Sequence, residues 1–201
     1  LFGGGLNQHL LTCYFNLHKV VNHKLIPHGP TYTTEDSDLL SCDHPDFHPT
    51  DVFEDADGSL LVVDTGGWYK VCCPTSQLAK PDVLGAIYRI RKKGAVAIHD
   101  ALGSKIPWGS LSEANLADLL GDDRLFVQRR ATADLRKRGT SAEPALAAIV
   151  KTHKSPTVRW RAVWTLAGME SIKSDALRMA LSDADVTVRQ AAAHATGLHH
   201  D

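Results

Sequence analysis

The chain has 201 residues, 43% of them hydrophobic and 22% charged, with 22 Lys and Arg against 23 Asp and Glu and a formal net charge of -1. Such a balance excludes wholesale disorder, collagen and a coiled coil, and it gives no global reason to expect nucleic acid or an anionic membrane as the partner. The longest apolar runs, Leu60 to Val63 and Ala145 to Val150, fall far short of the ~20 residues that a membrane-spanning helix requires.

Divided at residue 100, the first half carries 8 basic and 12 acidic side chains and the second half 14 and 11, so the halves are -4 and +3. Turn-forming Gly-Asp and His-Pro pairs gather before residue 110, and Ala-, Leu- and Arg-rich segments follow it. Two domains of different class are expected. The first residue is Leu1, and the expectation is a piece of a longer protein.

In chain order, Gln8 to Phe15 and Lys19 to Ile26 are apolar and β-prone, and Pro27-His28-Gly29-Pro30 closes the pair. Thr31 to Thr34 predicts a short third strand that stops at the acidic run Glu35-Asp36-Ser37-Asp38. His48 to Glu54 leads through Asp55-Ala56-Asp57-Gly58 into Ser59 to Asp64, a hairpin whose Asp-Gly pair suits a tight turn. Asp55-x-Asp57-Gly58 has the opening of a calcium loop without its later ligands. Gly85 to Ile90 gives one more strand after a connection of about twenty residues, a length common in functional loops. Short antiparallel strands separated by turns predict a sandwich, barrel or propeller. The strands present fill about one and a half four-stranded blades, too few to close a ring.

The second half repeats. Val127-Gln128-Arg129-Arg130-Ala131, Val158-Arg159-Trp160-Arg161-Ala162 and Val188-Arg189-Gln190-Ala191-Ala192 align on a common Val at intervals of 31 and 30 residues. Gly139, Gly168 and Gly197 follow as helix stops, Ser141 stands as an N-cap ahead of Pro144, and Trp160 and Trp164 sit at helical spacing as core. A period near 30 built of two helices and two turns predicts an α-solenoid. The segments resemble short HEAT repeats, at about 111–139, 141–168 and 171–198. The last helix has no polar cap before His199-His200-Asp201, so the array is expected to continue.

The run from Phe47 to Arg91, containing HPTDVFEDADGSLLVVDTGGWYKVCCPTSQLAKPDVLGAIYRIR, resembles the end of the propeller in the membrane-bound dehydrogenase-type proteins of Planctomycetes and Verrucomicrobia. That family joins a propeller related to quinoprotein sugar dehydrogenases to HEAT repeats and then to a cytochrome c domain. The resemblance implies an all-β plus all-α chain: partial β-propeller blades over 1–94, a linker over 95–110, and an α-solenoid of HEAT-like repeats over 111–201. It further implies a dehydrogenase, pyrroloquinoline quinone in the parent protein, a sugar substrate at the propeller mouth, and a periplasmic or extracellular location. No Cys-x-x-Cys-His motif occurs in the 201 residues, so haem c would require a downstream cytochrome domain.

Candidate site residues follow. His44, Asp46, His48 and Asp51 are of the right type for a divalent ion or for a base paired with a carboxylate, His48 and Asp51 leading; loop hydrogen bonding is the preferred alternative. The long connection brings Trp68, Tyr69, Cys72, Cys73, Lys80 and Asp82 as candidates to touch a cofactor. Cys72 and Cys73 are open to a vicinal disulfide, as in other quinoproteins, or to separate states, with Cys13 and Cys42 as the remaining pair. Arg129, Arg130, Arg159, Arg161 and Arg189 recur at the repeat period. They form either an exposed ladder for an anionic or protein partner or register contacts to Asp122, Asp123, Asp183 and Asp185; the second is preferred, and no nucleic acid is expected.

Overall fold

A computed structural model describes residues 8–28, 31–70, 77–80, 82–169 and 175–198, with the backbone alone at 68–70 and 77–79. The chain divides into two compact units, residues 1–98 and 99–201.

The first unit is antiparallel sheet. Strands β1 (His9–Tyr14), β2 (Lys19–His28) and β3 (Thr31–Ser41) pair in the order β1-β2-β3. Between β1 and β2 a single 3-10 turn, Phe15–Leu17, ends at His18 in a left-handed conformation. β3 does not stop at Thr34 as predicted but runs through the whole acidic segment. Its carboxylates bond side chains of β2: directly across, Lys24 reaches Glu35 at 2.9 Å and His23 reaches Asp36 at 2.8 Å, and diagonally Lys19 reaches Asp38 at 2.8 Å. Cross-strand charge pairing of this kind offsets the low strand propensity of Asp.

A second sheet has the order β4-β5-β8, from β4 (Pro49–Glu54), β5 (Leu60–Asp64) and β8 (Ala86–Ile90). The β4–β5 hairpin forms where Asp57-Gly58 placed it, with Gly58 at φ +77°. The turn is locked by charge, since Arg89 lies 2.7 Å from Asp55 and Arg91 2.8 Å from Asp57. Two guanidinium groups and Ser59 hold the Asp57 carboxyl far below the ordinary carboxylate range. The twenty-residue connection is not an open loop throughout. It carries a small hairpin, β6 (Trp68–Lys70) with β7 (Gln77–Ala79). The buried apolar cluster of this unit centres on Val20, Phe47 and Val62, flanked by partly buried Leu11, Leu40, Val52 and Ile90.

The second unit is helical: α1 (Glu113–Asp118), α2 (Leu125–Arg138), α3 (Glu143–Thr152), α4 (Pro156–Ala167), α5 (Asp175–Ala180) and α6 (Val186–Leu198). Helices alternate in their contacts, α1 touching α3 and α3 touching α5, while α2 touches α4 and α4 touches α6. Val127, Val158 and Val188 are all buried, as are Ala131, Ala162 and Ala192 one turn on. The repeat phase read from the sequence is thus the phase of the core. Trp108, from the stretch expected as linker, joins this core and donates its indole N–H to the Gly103 carbonyl at 2.7 Å.

Helix ends differ from prediction in two places. Ser112 does cap α1, accepting from the Asn115 N–H at 3.2 Å. Ser141 does not cap α3, because residues 139–142 form a 3-10 turn and the Ser141 hydroxyl donates back to the Arg138 carbonyl. Gly139 ends α2, but Gly197 lies inside α6. A helical Gly costs only about 1 kcal/mol, which burial of Val188, Ala192 and Ala195 on the same helix outweighs. Trp160 is exposed, and Trp164 instead packs at the core edge against His194.

Candidate functional site

In the sheet unit, the predicted residues are placed by β4, β5 and the foot of the β5–β8 connection. His48 is buried. Its Nδ1 stands 2.9 Å from the Gly66 carbonyl, so Nδ1 carries the proton and donates. Its backbone N–H donates to Asp64 Oδ1 at 2.8 Å, and the same oxygen accepts from Gly66 N at 2.9 Å. Phe15 stacks on the His48 ring at 4.4 Å, and His18 meets it edge-on at 5.4 Å while bonding the Phe47 carbonyl. His48 therefore ties three segments together, which matches the preferred reading of loop hydrogen bonding.

Asp51 lies on the exposed side of β4 and accepts from the Val52 N–H at 2.8 Å. Its charge and, first, burial raise the thiol pKa of Cys13. Asp46 and Lys80 form an ion pair at 2.5 Å, which holds the Asp46 carboxyl below its usual range. Lys80 is thus paired with a carboxylate while its side chain stays half exposed. Cys13 and Cys42 are both free, so they are not the pair considered above. The side chains of Trp68 and Tyr69, and Cys72 and Cys73 altogether, lie outside the described residues. Among the described residues, no group of three His, Cys, Asp or Glu side chains is arranged to hold a metal ion.

In the helical unit the five arginines part ways. Arg159 chelates Asp183 through Nε and Nη2 at 2.8 and 2.7 Å, and its Nη1 donates to the His153 and Lys154 carbonyls. Arg189 Nη1 repeats this on the Asp183 and Ala184 carbonyls. Gln128, at the equivalent place, donates to the Asp122 carbonyl. In all three repeats the residue after the core Val clamps the carbonyl six positions back, where the preceding helix ends. Arg161 is half-buried and donates to the Leu120 carbonyl at 2.8 Å; burial lowers its pKa. These three arginines serve the fold, but only Arg159 makes the carboxylate contact of the register reading, to Asp183; Arg161 and Arg189 bond backbone carbonyls. Asp122 is paired within its own turn, by Arg124 at 2.7 Å, rather than by one of the ladder arginines.

Arg129 and Arg130 are different, since both are exposed on α2. The Arg129 guanidinium lies 5.7 Å from the Phe126 ring centroid, and that of Arg130 lies 4.3 Å from Trp108. Of the exposed arginine ladder, the alternative not preferred, only these two residues are on the surface.

Residues 113–197 match HEAT repeats. The match begins at the first residue of α1 and ends one residue before the end of α6. Among curated proteins, none matches the chain. No helix among the described residues is long and apolar enough to cross a membrane. The three-residue clamp, Gln128, Arg159 and Arg189, was missed by sequence reasoning as a set. Its signal was the shared offset from Val127, Val158 and Val188, obscured because Gln replaces Arg in the first repeat.

Proposed function

We propose that the chain is a protein-interaction scaffold: a HEAT-type α-solenoid joined to the last blades of a β-propeller. The HEAT match over 113–197 carries this reading. Stacked helix pairs bury their apolar faces against one another and leave long helix surfaces for partners. Native mass spectrometry of the protein purified from its own host tests it. The expected result is a stoichiometric complex with another protein, and a chain that runs alone at every concentration would contradict it.

A second reading follows from the run Phe47 to Arg91: the propeller belongs to a periplasmic or extracellular oxidoreductase of the quinoprotein sugar dehydrogenase type. Among the described candidates, Lys80 is paired with Asp46 and the His48 Nδ1 proton is given to Gly66. In this reading the described blades brace a cofactor and a sugar held by other parts of the parent protein. Extraction of the host-purified protein for quinone and haem, with intact mass measured before and after reduction, tests it. Bound quinone and a mass change assigned to Cys72 and Cys73 would support the enzyme; free thiols and an empty extract would remove it.

A further inference from the structure

The basic charge of the helical unit is concentrated on α2, which carries Arg129, Arg130, Arg136, Lys137 and Arg138 against Asp134 alone. Two of these cations are consumed internally. Arg136 donates to the Trp164 and Thr165 carbonyls, and Arg138 pairs with Glu113 at 3.1 Å. What remains is Arg129, Arg130 and Lys137, all exposed. On a helix of 3.6 residues per turn these three lie within about 100° of one another, Arg129 opposite the buried Val127, Ala131 and Leu135 and Arg130 on the flank of that face.

Their neutralisation is also incomplete. Arg129 has no carboxylate partner among the described residues, and Arg130 has only Asp134, at 3.9 Å and itself on the surface. Yet neither arginine is loose. Each guanidinium lies against an aromatic face, that of Trp108 being fixed in the core by its bond to Gly103. A guanidinium held by its face still offers its N–H edge, and little rotamer freedom is left to lose when a carboxylate binds.

We propose that this face of α2 is a docking site for an acidic protein segment, whose carboxylates are taken up by the guanidinium edges of Arg129 and Arg130 with Lys137 beside them. The proposal rests on the scaffold reading and names the partner's chemistry within it. Protein is favoured over nucleic acid because the patch is three cations on one helix of a chain with net charge -1, whereas nucleic-acid surfaces neutralise many phosphates.

The test uses the full chain and a fluorescent Glu-rich peptide, followed by anisotropy at two salt concentrations. Wild type should bind, more weakly as salt rises. R129E/R130E should weaken binding about 10-fold or more and should instead bind the Lys-rich counterpart. R129Q/R130Q gives the same loss without charge reversal if the reversed variant folds poorly. K151E/K154E, two exposed lysines on and just after α3, changes net charge equally and should leave binding intact. Absence of wild-type binding, or an equal loss in K151E/K154E, would overturn the proposal. So would tighter binding of single-stranded DNA that also depends on Arg129 and Arg130. If R129E/R130E retains the host protein complex, the docking site fails while the scaffold reading stands. A wild-type chain with no complex removes the scaffold reading itself.

Discussion

Replacing Arg159 by Ala tests how the helix pairs are held in register. The Arg159 and Asp183 side chains are only 13% and 8% exposed, and the pair is bidentate at 2.7 and 2.8 Å. Breaking a buried pair by removing one partner costs about 3–5 kcal/mol, because the other charge is stranded. Asp183 keeps one bond, from the Asp185 N–H at 2.8 Å, and the carbonyls freed at His153 and Lys154 can reach water. We therefore expect a loss of about 2–3 kcal/mol. For a unit of this size that lowers the midpoint by roughly 10–20 °C, followed by far-ultraviolet circular dichroism, which reports the helices. Arg159→Lys should recover less than half, since one ammonium cannot serve two carboxylate oxygens and two carbonyls in that geometry. A double-mutant cycle with Asp183→Ala should show coupling of about 1–2 kcal/mol. A loss under about 0.5 kcal/mol, or strict additivity of the two substitutions, would refute the reasoning.

Three further outcomes are expected. The carboxyls of Asp122, Asp183 and Asp185 are lowered first by side-chain bonds to Arg124, Arg159 and Thr187. Their stabilisation is complete above the unfolded carboxylate value near about 3.9 and is lost as pH falls through the lower folded values; urea midpoints should drop in that acid range, less so in Arg159→Ala. Gly85→Ala should unfold the sheet unit selectively, because an added Cβ would sit 2.4 Å from the Asp64 carbonyl oxygen, which is backbone and cannot yield; preserved near-ultraviolet signal from Tyr88 and hydrogen-exchange protection in β5 would contradict this. Asp57→Ala leaves Arg91 without its carboxylate partner, but the Asp57 side chain is 38% exposed, so screening limits the loss to below about 1 kcal/mol by chemical denaturation.

The helical half was legible because its core repeats: a buried Val followed four residues later by a buried Ala is a spacing that only one helix face produces. The β4–β5 hairpin was legible for a similarly local reason, since Asp57-Gly58 supplies its turn chemistry. What escaped depends on partners distant in sequence. β3 extends through Glu35, Asp36 and Asp38 because Lys24 and His23 stand across from the first two and Lys19 reaches the third diagonally, which residue-by-residue propensity does not register. Arg161 was indistinguishable from Arg129 in the sequence, yet one reaches a carbonyl 41 residues away and the other stays exposed. His48 was chosen for its chemistry, while its Nδ1 proton and backbone N–H are committed to Gly66 and Asp64.

Amide hydrogen exchange on the full chain, alone and with the protein that co-purifies from its host, tests the central claim most directly. The account predicts added protection on the exposed face of the helical unit, centred on residues 125–138 of α2, with the sheet unit unchanged. Protection confined to residues 44–51 and 77–84, with none over 113–198, would contradict it and move the functional surface to the strands.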